Sequence, residues 1–184
     1  MNRVLVEQHG RVLHLINNAP QKRNALDYDY YDGILAALDA AGDDIGAVVL
    51  SGANHFFCAG GDLKGLKARS EKDFAGRREG VDRLHRMIRA IRTFPKPVIA
   101  AVDGGAAGAG ASLAAACDLI VAAEDAYIML AYVKIGLTPD GGATWTFGRG
   151  LPTQLAAEMA LTGDKLSATR LHQAGFINRL APVA

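Results

Sequence analysis

The chain has 184 residues, half of them hydrophobic, and a formal net charge of +1, which suffices for one domain with a full core. That balance gives no electrostatic footprint for nucleic acid, and no apolar run approaches the length of a membrane span, so no membrane partner is expected. Acid and polar side chains stand near the start where a signal peptide needs an apolar segment, and the two cysteines, Cys58 and Cys117, fit neither a CxxC motif nor a Cys/His ligand set; a reducing cytoplasm and no metal site are the expectation.

In chain order, residues 3–7 and 11–16 read as two short strands around a turn at Gln8-His9-Gly10. Asp27 suits the N-cap of a helix running to about residue 41, with Ile34, Leu35 and Leu38 on one face and Gly42 closing it. Residues 47–51 form a buried strand. The spacing of Val81, Leu84, Met87, Ile88 and Ile91 predicts an amphipathic helix over 74–94, ended by Pro95 and Pro97. A second buried strand at 98–102 runs into Gly104, Gly105, Gly108 and Gly110, and alanines then favour a helix over 109–116. A buried strand at 119–122, helices at 152–161 and 167–173 and a short strand at 176–180 complete an α/β domain without internal repeats.

Two glycine-bearing turns follow buried strands. One is the cluster just described, and the other is Phe56-Phe57-Cys58-Ala59-Gly60-Gly61-Asp62-Leu63. Unpaired N–H groups at a helix start favour negative charge. If the two turns converge, the N–H groups of Gly61 and Ala109 could hold one carbonyl oxygen and stabilise charge developing on it. Phosphate motifs fail: a GxGxxG beginning at Gly108 meets Leu113 at its last position, and no Gly-Lys-Ser/Thr triplet occurs there. Gly110-Ala111-Ser112-Leu113-Ala114 approaches the GxSxG nucleophile elbow, with Asp140 and His172 following in α/β-hydrolase order. Its last glycine is alanine, however, and Ser112 falls within the first helical turn.

Six blocks carry a resemblance: Asn18-x-Pro20-x-Lys22-Arg23-Asn24-Ala25-Leu26, residues 56–63, residues 96–118, Ile135-Gly136-Leu137-Thr138-Pro139-Asp140-Gly141-Gly142, Leu161-Thr162-Gly163, and Gly175-Phe176-Ile177-Asn178-Arg179. In order and spacing, over nearly the whole chain, they resemble the crotonase (enoyl-CoA hydratase/isomerase) superfamily. The resemblance implies a single-domain spiral of ββα units and an acyl-CoA thioester substrate, with coenzyme A as part of the substrate and no separate cofactor. It also implies an oxyanion hole from Gly61 and Ala109, and homotrimers or hexamers. Most crotonases continue past the residues matching Pro182 with helices that cover the acyl pocket and build the trimer. Residues 1–184 are therefore expected to be the core domain without that region.

Hydratases of this superfamily carry one Glu two residues after the glycine cluster and another four residues before the glycine matching Gly136. Here those places hold Ser112 and Tyr132. Neither hydroxyl is a good general base at neutral pH, tyrosine having a pKa near about 10. Asp140, four residues after Gly136, is similar to the catalytic Asp of several enoyl- and dienoyl-CoA isomerases and phenylacetate-pathway ring isomerases, and to the nucleophilic Asp of chlorobenzoyl-CoA dehalogenase. His85 resembles a helix histidine of the latter. One carboxylate can take a proton from one carbon of a thioester and return it to another, whereas the local reading of Asp140 is the N-cap of a helix after Gly141 and Gly142. The expectation is an isomerase with Asp140 as proton shuttle; a hydratase-type lyase, a thioester hydrolase or a dehalogenase are the enzymatic alternatives.

Lys22 and Arg23 suit the phosphates of coenzyme A. The resemblance places Ala25, Ala59, Gly60, Asp62, Leu63, Gly108, Ser112 and Tyr132 along the substrate, although Asp62 and Asp118 also suit local backbone amides. His9, His14, His55 and His172 show no ligand spacing and receive no role. Arg77, Arg78, Arg83, Arg86, Arg89 and Arg92 form a basic stripe on the long helix. An RNA-binding relative would use such a stripe, but the net charge near zero argues for a solvated face or a subunit contact.

Overall fold

Residues 2–183 are described by the computed structural model. The chain opens with an antiparallel hairpin of β1 (Val4–His9) and β2 (Val12–Asn17). Its turn closes at Gly10, which takes a left-handed φ of 59°, so the strands run further than the predicted turn over Gln8-His9-Gly10 allows. Asp27 caps α1 (Tyr28–Asp39) by accepting from the Tyr30 amide at 2.9 Å. The helix ends at Ala40 and not at Gly42, because the Ala40 amide already bonds the carbonyls of Ala36 and Leu38 with right-handed backbone.

After β3 (Ala47–Gly52) come α2 (Leu63–Ser70), capped by Asp62, and α3 (Phe74–Arg92), capped by Asp73. Gly80, Leu84, Met87, Ile88 and Ile91 form the buried face of α3. It stops at Arg92, two residues before the predicted end, since Phe94 precedes proline and is pushed out of helical backbone. β4 (Val98–Val102) passes through Gly104 into the short strand β5 (Gly105–Ala107) and then α4 (Ala109–Ala116). β6 (Leu119–Ala123) likewise leads into β7 (Tyr127–Met129), followed by α5 (Ala143–Gly150), α6 (Thr153–Thr162), β8 (Leu166–Ser167), α7 (Ala168–Gln173) and β9 (Arg179–Ala181).

The larger sheet has the order β1-β2-β3-β4-β6-β9, parallel from β2 onward, and the smaller one β5-β7-β8. Each of β4 and β6 therefore feeds one strand of each sheet, and β4-β5-α4 is a complete ββα unit, as expected. β9 begins at Arg179, three residues later than predicted. Asn178 instead fixes its approach, accepting from Ile120 N–H through Oδ1 at 2.8 Å and donating its own N–H to Ile120 O at 2.9 Å. All eight residues of α4 are buried. A helix of Ala, Gly, Ser and Leu that is apolar on every side belongs inside, and its small side chains let other backbone approach it closely.

Candidate active site

The first wall is set by Asn24, which is buried with a left-handed φ of 55°. Its Oδ1 accepts from Ala19 N–H at 2.9 Å, and its Nδ2 donates to Ala53 O at 2.8 Å and Phe56 O at 2.5 Å. This ties the loop after β2 to the turn after β3. Leu26 N–H then donates to Gly60 O at 2.7 Å and Asp62 N–H to Leu26 O at 3.0 Å, which leaves the Gly61 amide outside the ladder. On the other side, Cys58 N–H donates to Gly105 O at 3.1 Å and Ala107 N–H to Cys58 O at 2.9 Å. The two glycine turns meet at Gly60, where φ is 94° and a β-carbon would lie 2.7 Å from Ala107 O and 3.4 Å from Ala109 N. Gly108, at φ 52°, turns the chain from β5 into α4. Among the hydrogen bonds of the described residues, none uses the N–H of Gly61 or of Ala109.

These turns border a cavity of about 930 Å³. Of the residues singled out from the sequence, Lys22, Ala25, Ala59, Gly60, Gly61, Asp62, Leu63, Gly108, Ala109, Tyr132 and Asp140 line it. Two expected residues do not. Arg23 is turned onto the Phe56 ring, 5.8 Å from its centroid, by its left-handed backbone, and Ser112 lies buried behind Tyr132. Lys22 is on the wall, but its Nζ is held by Asp27 at 2.7 Å and Asp62 at 2.9 Å. The sequence reading missed α2 altogether. With the residues after it, α2 brings Lys64, Arg69 and Lys72 to the cavity, and the only signal available for it was the capping Asp62.

Among the described residues three carboxylates line this cavity, Asp27, Asp62 and Asp140, and their states differ. Burial acts to raise the Asp27 carboxyl, but hydrogen bonds from Lys22, the Tyr30 amide and Arg3 outweigh it and hold it below the usual range. The hydrogen bond from Lys22 does the same for Asp62. Asp140 is the exception: burial pushes its pKa up, only partly opposed by the hydrogen bond from Tyr132 and the more distant charges of His85 and Arg69. Tyr132 Oη donates to Asp140 Oδ1 at 2.8 Å. Ser112 Oγ lies 2.9 Å from Tyr132 Oη and 3.0 Å from Asp140 O. Burial, and then the charge of Asp140, keep Tyr132 protonated far above neutral pH. Asp140 does not cap α5. That position belongs to Gly142, with left-handed backbone, and the Asp140 side chain is left to Tyr132.

The remaining candidates separate cleanly. Ser112 has no histidine partner among the described residues, and His172 Nδ1–H donates to Ile177 O at 2.8 Å, so the hydrolase triad is not assembled. Burial pushes the Cys58 thiol up to about 12, which leaves it inert as a nucleophile. His85 is half-buried near Asp140, with no hydrogen bond to it. Asp118 Oδ2 accepts from Val98 N–H at 2.8 Å, a local backbone role. In the arginine stripe, Arg78, Arg83 and Arg86 face acidic partners Asp82, Glu79 and Asp32, and Arg92 stacks on Trp145. His9 and His14, assigned no role from spacing, meet across the hairpin beside Glu7.

A family model described as Enoyl-CoA hydratase/isomerase matches residues 7–184. The chain is 36% identical over 184 residues to the 2,3-dehydroadipyl-CoA hydratase of Escherichia coli (strain K12), covering 99% of this chain and 70% of that protein. It is 34% identical over 180 residues to the 1,2-epoxyphenylacetyl-CoA isomerase of the same organism, covering 96% and 69%. A solved enoyl-CoA hydratase from Polaromonas sp. JS666 superposes with a TM-score of 0.95 at 43% identity, covering 98% of this chain and 71% of that one. The chain spans 60% to 70% of the length of the first curated relatives it matches.

Proposed function

The chain belongs to the enoyl-CoA hydratase/isomerase family, and on that footing we propose that it shifts a double bond in an acyl-CoA thioester, with Asp140 carrying the proton. The observation behind this reading is the contrast among the cavity's carboxylates: Asp27 and Asp62 are bound to cations, whereas Asp140 is without an ion pair among the described residues and has a raised pKa. A base tuned toward the working pH is what proton abstraction requires.

In the proposed reaction the thioester oxygen accepts from the N–H groups of Gly61 and Ala109, each such donor contributing about 10²–10³ in rate where charge develops on the oxygen. The Asp140 carboxylate removes a proton from the carbon next to the thioester of a 3-enoyl chain, and the electrons spread into a dienolate. The protonated carboxyl then returns that proton two carbons further along, leaving a conjugated 2-enoyl thioester. One proton moves and no net electrons do, so coenzyme A enters as part of the substrate and no further cofactor is invoked. Lys64, Arg69 and Lys72 replace Arg23 as the cations offered to the phosphates.

Hydration is the second reading, favoured by the hydratase names of several relatives. Against it stand Ser112 and Tyr132, both neutral hydroxyls, where a second carboxylate would be needed. Incubation with 3-enoyl- and 2-enoyl-CoA followed by mass analysis separates the two, since a double-bond shift conserves mass and hydration adds a water. Asp140→Asn should lower isomerisation by about 10²–10⁴ while thioester binding persists. Unchanged turnover in that variant would overturn the assignment.

A further inference from the structure

We propose that Glu7, His9 and His14 form a binding site for a divalent late transition ion, Zn²⁺ in particular, on the outer face of the β1–β2 hairpin. The antiparallel register makes Glu7 and His14 direct cross-strand partners. Strand alternation places His9, two residues after Glu7, on the same face. The three side chains each offer a ligand atom, and these atoms all lie within 4.8 Å of one another. His9 Nε2 is 3.2 Å from Glu7 Oε2, and His14 Nδ1 is 3.9 Å from the same oxygen. Donors bound at about 2.0–2.1 Å to a tetrahedral zinc ion sit roughly 3.4 Å apart. The first pair already has that spacing, and the second needs a closure of roughly half an ångström, which the exposed Glu7 side chain can supply.

A separate observation sets His14 apart from an ordinary surface ion pair. Its Nε2 is 2.8 Å from Ser51 Oγ on β3, and metal-bound histidines commonly hold their second nitrogen in this way, against an oxygen that fixes ring and tautomer. With Nε2–H given to Ser51, Nδ1 carries the free lone pair, and it is Nδ1 that faces Glu7. Two imidazoles and one carboxylate suit zinc, copper or nickel ions better than magnesium or calcium, with water completing the coordination. None of the three residues lines the cavity that holds Asp140. The ion would therefore act as a clasp joining β1 to β2 and, through Ser51, to β3.

The test is calorimetric titration of ZnCl₂ into the chelator-stripped chain, paired with melting curves with and without zinc. The wild type should take up one Zn²⁺ per chain and melt at a higher temperature with it. His9 is exposed, so His9→Ala should leave the metal-free melting curve unchanged and weaken zinc binding at least tenfold. Ser51→Ala, which touches no ion, should weaken binding by about tenfold while keeping the stoichiometry. MgCl₂ should give no uptake, and turnover at the cavity should be unaffected by His9→Ala. Absence of zinc uptake by the wild type would overturn the proposal, as would equal affinity in wild type, His9→Ala and His14→Asn, which would place the ion elsewhere or leave only a surface ion pair.

Discussion

Replacing Gly110 by alanine tests how the two glycine turns are held together. A β-carbon at Gly110 would lie 2.4 Å from Cys58 O and 2.8 Å from both Cys58 Cβ and Sγ, whereas ordinary contact begins at 3.4 Å. Cys58 O already accepts from Ala107 N–H at 2.9 Å, so the carbonyl cannot swing aside, and relief requires α4 to move away by about 1 Å. Helix propensity favours the alanine by about 1 kcal/mol. Overpacking opposes it by about 1–3 kcal/mol, and a contact with fixed backbone belongs at the upper end. The net loss should be about 1–2 kcal/mol, which for a chain of this size lowers the melting temperature by about 2–8 °C. The catalytic loss should be larger. Ala109 is the neighbouring residue, and a misplacement of about 1 Å at a reacting group can reduce the rate by about 10². Thermal denaturation and isomerisation rates should be measured beside Gly148→Ala. That position in α5 is exposed, has nothing within 4 Å of an added β-carbon and is not left-handed, so alanine there should stabilise by about 0.5–1 kcal/mol with unchanged activity. A Gly110→Ala variant as stable and as active as wild type would refute the reasoning.

Asp140→Asn should also change stability in a pH-dependent way. Burial raises the folded-state pKa of Asp140 above its unfolded value, so the native chain holds that proton more tightly. The resulting stabilisation is complete below the ordinary carboxylate value of about 3.9 and is lost as pH rises through the folded value. The variant should therefore melt above wild type at pH 7 and lose that advantage in acid; an equal difference at both pH values would contradict this. Tyr132→Phe removes the hydrogen bond that lowers the Asp140 pKa, so the acidic limb of the pH–rate profile should move to higher pH, and a limb left in place would sink the assignment. Gly80→Ala would put a β-carbon 2.3 Å from Arg69 Cδ and 2.6 Å from its Nη1, displacing a cation from the cavity wall. A KM for the CoA thioester raised about fivefold, on the order of 1 kcal/mol, is expected with the fold intact, and an unchanged KM would remove Arg69 from the phosphate site.

Most of the larger sheet was legible because Val, Ile and Leu runs end at Pro, Asp and Gly. β5 and β7 were not legible: three residues such as Gly105-Ala106-Ala107 have no alternation, and they are strand only because Cys58 and Tyr127–Met129 lie alongside. α2 buries none of its residues, so periodicity had nothing to register, although its cations reach the cavity. Adjacency identified Lys22 and Arg23 as a cationic pair, but the left-handed turn at Arg23 sends the two side chains in different directions. His9 and His14 stand five residues apart, a spacing with no meaning along one strand. Their proximity appears only once the hairpin register pairs Glu7 with His14.

The replacement of charge by hydroxyl around Asp140 has a physical consequence for the proposed reaction. A second buried carboxylate within hydrogen-bond distance would couple to the first, and the two could not both ionise readily. Ser112 and Tyr132 instead supply two protons and no charge. With Asp140 ionised, Tyr132 gives its proton to Oδ1, while the single Ser112 proton satisfies either Tyr132 Oη or Asp140 O, both within 3.0 Å. Oδ2 is then the oxygen left to meet substrate. When a proton arrives there, the Tyr132 bond loses its charged acceptor and weakens, which favours handing the proton on again. A lone carboxylate kept basic by burial and steadied by one neutral donor is thus suited to taking up and releasing the same proton, while activating water at one position and protonating carbon from another calls for the second carboxylate that Ser112 and Tyr132 do not provide.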